Sequence, residues 1–140
     1  MMTNKRKTYM TMVKTVAAGR NAWQSPYTVD IFGTCVYDRK GRIALISLMD
    51  DSTADGMMAA IRVSQEACRR MNGWKGGISI AGNCHVERVK NAVYIARGDT
   101  RLFAVGGYDR LTEGRFPLDP EKAMMAMEQF AEWVCGRMND

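Results

Sequence analysis

The chain has 140 residues, of which 46% are hydrophobic and 25% are charged. This length suits one domain with its own core and excludes two domains with separate cores. No uncharged apolar stretch approaches the ~18 residues that a membrane-spanning helix needs. No apolar run follows the basic N-terminal residues, as it would in a secretory signal, so we expect a cytoplasmic protein.

The net charge of +5 is unevenly distributed along the chain. Residues 62–101 contain eight basic and three acidic residues, whereas residues 102–140 contain four basic and seven acidic residues. This polarity predicts an anionic partner, such as an acidic protein surface, lipid headgroups or nucleic acid. An ordinary solvated surface is the alternative that charge alone leaves open.

The first half of the chain predicts a helix, a hairpin and a second helix. Residues 1–8 are polar and basic and predict a flexible tail, so the single domain is expected over residues 9–140. Apolar residues recur at three- and four-residue steps over 9–18, which predicts an amphipathic helix ending at Gly19. Strands are expected at 29–37 and 42–48, joined by a turn at 38–41. Several N-cap residues at 50–53 then predict a helix that ends near Met71. Its apolar face is expected to consist of Met57, Ala60, Ile61, Ser64, Cys68 and Met71.

The second half predicts a run of short strands and a long final helix. Strands are expected at 78–81, 85–89, 92–96 and 101–106, followed by a charged loop at 108–118. The last helix should begin after the N-cap Asp119, with Pro120 at its first position. Its core stripe is expected at Ala123, Met127, Phe130, Ala131, Val134 and Met138. Hairpins dominate this order, so we expect an α+β fold with an antiparallel sheet.

The sequence contains no assembled catalytic site. His85 is the only histidine, and His85-Val86-Glu87 matches the H-x-E of zinc deaminases without their cysteine ligands. Cys84 and His85 are neighbours in a predicted strand and should point to opposite faces. We therefore expect a binding module without a cofactor rather than an enzyme. A metal-dependent enzyme built on Cys84, His85 and Glu87 is a minor alternative.

Several local patterns and their order resemble the profilin family over about residues 9 to 138. They are the start of the first helix at 9–13, the hairpin at 32–43, the strand and small-residue step at 78–82, the hairpin at 93–102 and the final helix at 125–134. The resemblance implies a central antiparallel sheet of seven strands. It also implies that the N- and C-terminal helices pack on one face and that a further helix lies on the other.

The resemblance also implies a protein of the cytoskeleton that binds actin monomers and regulates filament assembly. The residues that match the family's actin face are Arg88, Arg97, Arg101, Glu121, Lys122 and Met125. The family's groove for proline-rich ligands corresponds to Tyr9 and Trp133, although these two rings could instead pack the terminal helices together. The usual tryptophan near the start of the first helix is missing, because Lys5-Arg6-Lys7 stands there, and Trp23 in the connecting loop expected at 20–28 could substitute for it.

Two further expectations concern anionic ligands and alternative functions. Phosphoinositide binding is expected if the following basic residues form one patch: Arg69, Arg70, Lys75, Arg88 and Lys90. No DNA or RNA binding is expected, because no helix-turn-helix, RNP-like or zinc-finger pattern is present. The alternative function is a roadblock-like, longin-like or small-ligand-sensing scaffold module with no actin role.

Overall fold

A computed structural model describes residues 22–76 and 82–139. The helix expected at 9–18 and the strand expected at 78–81 lie outside these residues. The described elements are β1 (Thr28–Val29), β2 (Cys35–Tyr37), β3 (Ile43–Ser47), α1 (Ala54–Met71), β4 (Cys84–Val89), β5 (Ala92–Arg97), β6 (Thr100–Val105), α2 (Tyr108–Glu113) and α3 (Pro120–Met138).

The described strands form one sheet in the order β1-β2-β3-β6-β5-β4, and every neighbouring pair is antiparallel. The pairing of β3 with β6 joins the N-terminal strands to the later three-stranded meander. The expected α+β class with an antiparallel sheet is therefore confirmed. Six strands fall within the described residues.

The predicted strand at 29–37 is interrupted by a turn that faces α1. The Asp30 carboxylate accepts hydrogen bonds from the backbone N–H groups of Thr34 (2.6 Å) and Cys35 (3.2 Å), and from the Thr34 hydroxyl. Gly33 has a φ of +66°, and a Cβ placed there would lie 2.6 Å from the Ile61 Cα. The turn lets α1 pack directly against the chain between β1 and β2, which explains why a continuous strand was a wrong prediction.

The start of α1 agrees with its sequence signal, and four residues of its expected apolar face are buried: Ala60, Ser64, Cys68 and Met71. The Thr53 hydroxyl accepts a hydrogen bond from the Gly56 N–H at 3.0 Å, which is an N-cap. Met57, expected in the core, is 37% exposed, whereas Val63 and Ala67 are buried. The helix is enclosed by the strands on one side and by α3 on another, so its buried surface is wider than one apolar stripe.

The placement of α1 corrects one expectation about layers. The helix contacts β1, β2 and α3, and its buried residues share one core cluster with those of α3. The prediction that this middle helix lies on the opposite face of the sheet from the C-terminal helix is therefore wrong. Strand alternation explains the arrangement, because Leu45, Ile95 and Phe103 project into this shared core and are almost fully buried.

The end of the chain contains one helix that was missed and one that was expected. Residues 108–113 form α2 where a charged loop was predicted, and Leu111 anchors this helix in the core. In α3, Asp119 caps the Lys122 N–H at 2.8 Å, and the predicted core stripe is buried from Ala123 to Met138. Of the helices described, none combines the length and the apolar character needed to cross a membrane.

Candidate functional site

Four aromatic side chains form a cluster between the segment before β1 and the second half of α3. Trp23 lies against Phe130 with ring centroids 4.2 Å apart, and both rings are almost fully buried. Tyr27 lies 6.4 Å from Phe130 and 6.1 Å from Trp133, and Phe130 stacks on Trp133 at 5.8 Å. Trp133 is only partly buried, so its outer surface is the part of the cluster that a ligand can reach.

A buried carboxylate holds the segment that carries Trp23 and Tyr27. Asp38 accepts a hydrogen bond from the Gln24 N–H at 3.1 Å and forms an ion pair with Arg42 at 2.6 Å. Arg42 also donates to the Ala22 carbonyl at 3.0 Å. Burial tends to raise the pKa of Asp38, but the hydrogen bonds from Arg42 and Gln24 outweigh it and lower the pKa to about 2. The β2–β3 turn therefore fixes the position of the segment that carries Trp23 and Tyr27.

Asn72, the C-cap residue of α1, holds the same segment through Tyr27. Its amide oxygen accepts from the Tyr27 N–H at 2.6 Å, and its amide nitrogen donates to the Tyr27 carbonyl at 2.8 Å. The Tyr27 hydroxyl donates to the Trp23 carbonyl at 3.0 Å. Burial and, to a smaller extent, the charge of Asp38 raise the pKa of Tyr27 to about 12, so its hydroxyl stays protonated at neutral pH.

The segment before β1, the end of α1 and the second half of α3 border a cleft of about 500 Å³. It is lined by Trp23, Gln24, Ser25, Tyr27, Arg39, Met71, Asn72, Gly73, Trp133 and Arg137. Two of these residues are cationic and none is acidic. The Arg137 guanidinium lies 5.5 Å from the centre of the Trp133 ring. The arrangement can bind a ligand that combines flat apolar groups with negative charge or carbonyl oxygens.

The cleft contains one of the two residues predicted for a proline-rich ligand. Trp133 lies in its wall, whereas Tyr9 lies outside the described residues. The segment 20–28 was interpreted as a connecting loop, so Tyr27 was missed and Trp23 was considered only as a substitute for the missing groove tryptophan, without a position. The available signal was the presence of two large aromatic residues and Pro26 in a short connection.

Part of the predicted actin face is brought together at the start of α3. Arg88 on β4 forms ion pairs with Glu121 at 2.8 Å and with Glu128 at 3.7 Å. Lys122 and Met125 belong to the same end of the helix, and Met125 is 42% exposed. These residues form one small surface of mixed charge with an exposed methionine.

The other two predicted actin residues are separated from this surface. Arg101 donates to Glu87 at 3.0 Å and lies over the Tyr94 ring at 4.1 Å. Glu87 and Arg88 are consecutive in β4, so Arg101 is on the opposite face of the sheet from Arg88. Arg97 pairs in register with Cys84, whose N–H donates to Asn139 beyond the far end of α3.

The predicted phosphoinositide patch does not form as one surface. Arg70 has 0% relative exposure: it pairs with Glu66 at 3.5 Å and donates to the carbonyls of Arg137 (3.4 Å) and Gly76 (3.3 Å). It therefore cannot contact a headgroup. The contact with Arg137 places this end of α1 beside the end of α3, whereas Arg88 is beside its start.

The remaining members of that patch follow the same division. Arg69 and Lys75 are exposed near the end of α1, and Arg69 lies over the Trp74 ring. Lys90 follows β4 and is at the other end with Arg88. Arg88 contacts Glu121 and Glu128, so about 14 to 24 Å of α3 separates the two groups at 1.5 Å per residue, and the single-patch prediction is wrong.

The residues of the minor metal-enzyme alternative are also divided between faces. Cys84 is buried on the side of α3, and burial raises its thiol pKa to about 11. His85 lies on the other face, 3.3 Å from Glu87, and hydrogen bonds from Arg101 and His85 lower the pKa of Glu87. Within 22–76 and 82–139, no three histidine, cysteine or carboxylate side chains are grouped as metal ligands.

No family model, curated protein or solved structure matches this chain. The resemblance to the profilin family therefore stays a prediction from the sequence.

Proposed function

We propose that this protein is a non-catalytic binding module that takes a proline-rich segment of a partner protein in the aromatic cleft. The observation that carries the proposal is the partly exposed Trp133 ring, which is supported from below by Phe130 and from the side by Tyr27. A polyproline II segment presents flat pyrrolidine rings and loses little entropy on binding, so it pairs well with a rigid aromatic surface.

The polar groups of the cleft support the same ligand. A polyproline II segment has no internal hydrogen bonds, so its carbonyl oxygens are available as acceptors. The Trp133 indole N–H donates to no acceptor among the described residues, and the Arg137 guanidinium is beside it. Stacking on the ring and donation to the carbonyls would then come from one wall of the cleft.

Calorimetric titration with a proline-rich peptide tests this proposal. Trp133→Ala should weaken binding at least about 30-fold, as expected for a central aromatic contact worth about 2 kcal/mol. The matched control is Trp74→Ala, which removes a 44% exposed tryptophan outside the cleft lining and should leave the affinity unchanged. Urea unfolding of both variants separates lost binding from lost folding. No binding by the folded wild-type protein, or equal losses in the two variants, would refute the proposal.

A second candidate function, actin-monomer binding with cytoskeletal association, is favoured by the surface at the start of α3. Met125 offers an exposed apolar contact beside Lys122 and Arg88 and their carboxylate partners, and an apolar contact with a polar rim of both signs suits a protein partner. In an actin assembly assay, Lys122→Glu should abolish the effect of the wild-type protein. Arg97→Glu is the matched control, because it makes the same charge change beside the far end of α3. No effect of wild type on assembly, or equal effects of the two variants, would exclude this surface.

A further inference from the structure

The rim of the cleft carries positive charge from two separate elements. Arg39 lies in the turn between β2 and β3, and Arg137 lies in the last turn of α3. Both line the same cleft as Trp23 and Tyr27. A ligand that fills the cleft would therefore meet two arginines that come from different elements.

These two arginines differ from several others in their lack of an acidic partner. Arg42, Arg70, Arg88 and Arg101 each form an ion pair with a carboxylate. Across residues 22–76 and 82–139, neither Arg39 nor Arg137 lies within ion-pair distance of one. Arg137 also complements the negative end of α3, but Arg39 is in a turn and has no such role.

We propose that the partner segment carries an acidic residue next to its prolines, and that Arg39 and Arg137 select it. This inference rests on the proposed function, because the prolines bring the carboxylate to the rim. Polyproline II advances 3.1 Å per residue, so a residue one or two positions beyond a ring stacked on Trp133 comes within reach of Arg137. A guanidinium can bind that carboxylate through two parallel hydrogen bonds.

The experiment compares three peptides of equal length by calorimetry: a neutral proline-rich peptide, the same peptide with two aspartates beside the prolines, and the acidic peptide with its prolines replaced by alanine. The wild-type protein should bind the acidic proline-rich peptide about tenfold more tightly than the neutral one. This preference should shrink as salt is raised, because the rim is exposed to solvent.

Variants assign the preference to the rim. Arg39→Gln and Arg137→Gln together should remove the preference, so that the acidic and the neutral proline-rich peptides bind the double variant equally tightly, whatever the substitutions do to the affinity that both peptides share. Arg115→Gln is the matched control, because it removes an exposed arginine that does not line the cleft, and it should keep the preference.

The possible outcomes separate this inference from the proposed function. Equal binding of the neutral and acidic proline-rich peptides would overturn the inference and leave the proposed function standing. A preference that survives the double substitution would overturn the role of the two arginines. Binding of the acidic peptide without prolines at full strength would instead identify a general anion site, and no binding of any peptide would overturn both.

Discussion

Replacing Asp38 by asparagine should detach the segment before β1 from the β2–β3 turn. Asp38 is 2% exposed and accepts hydrogen bonds from the backbone N–H groups of Gln24, Lys40 and Arg42, and from the Arg42 guanidinium. Asparagine has nearly the same shape but only one acceptor oxygen and no charge. The substitution therefore removes the electrostatic part of this junction with little change in packing.

The pKa of Asp38 gives the size of the effect. The folded protein lowers the pKa from 3.8 to about 2. At about 1.36 kcal/mol per pKa unit, this corresponds to about 2.5 kcal/mol of stability when the carboxylate is ionised. The contribution is complete above pH 5 and is lost as pH falls from about 4 through about 2, because the unfolded chain takes up the proton first.

Urea unfolding followed by tryptophan fluorescence measures both parts of this prediction. At pH 7, Asp38→Asn should lower the free energy of unfolding by about 2 to 3 kcal/mol, and the difference from wild type should shrink as the pH approaches 2. Asp51→Asn changes an exposed carboxylate and should stay within about 0.5 kcal/mol of wild type. A loss below about 0.5 kcal/mol in Asp38→Asn, or a loss that does not depend on pH, would refute the reasoning.

Three other substitutions test the packing around the cleft by the same unfolding assay. Gly33→Ala should lower the free energy of unfolding by at least about 2 kcal/mol, because φ is +66° and the new Cβ would meet Ile61. The control Gly41→Ala also has a positive φ but free space around its Cβ, so it should cost only about 1 kcal/mol. Equal costs would contradict the close approach of Gly33 to Ile61. Phe130→Ala should cost about 3 to 5 kcal/mol, because the ring is fully buried among three others, and a cost below about 1 kcal/mol would contradict that packing. Tyr27→Phe should cost about 1 kcal/mol at pH 7. Since the raised pKa disfavours ionisation in the folded state, wild type should lose stability from about pH 10 to about pH 12, and Tyr27→Phe should lack that loss.

The elements that the sequence predicted well are those with strong local signals. Thr53 and Asp119 are N-caps in the structure, and the apolar stripe of α3 is buried as its spacing indicates. The turn at 38–41 also forms, with Gly41 at a φ of +76°. In each case residues close in the chain determine the conformation, so the pattern alone is informative.

The errors have a common physical origin in contacts between distant parts of the chain. The strand at 29–37 is broken because Gly33 packs against Ile61, 28 residues later. The buried surface of α1 is wider than its predicted apolar face because α3 covers part of the helix and because Glu66 and Arg70 form an ion pair in the interior. No local pattern contains the position of the partner element, so neither outcome could be predicted from spacing.

The candidate site was only partly predictable for the same reason. Trp133 stood out as an aromatic residue on the flank of the final helix, but its neighbour Tyr27 depends on Asn72, which is 45 residues away from it. The phosphoinositide patch, assigned from basic residues close in the sequence, and the actin face, implied by the family resemblance, are both divided in the structure. Consecutive residues of a strand point to opposite faces, so a run of charges in the sequence is a poor guide to a surface.

The positive charge that is free of ion pairs lies in a different place from the basic segment of the sequence. The basic segment 62–101 contributed to the prediction of an anionic partner, but Arg70, Arg88 and Arg101 in this segment are each paired with a carboxylate. In particular, two glutamates of the acidic C-terminal third neutralise Arg88. The rim of the aromatic cleft instead receives its charge from Arg39 and Arg137, which lie outside the basic segment. At the cleft, no carboxylate of the described residues neutralises these two arginines. An anionic partner would therefore be attracted more strongly to the cleft than to the strands of the basic segment.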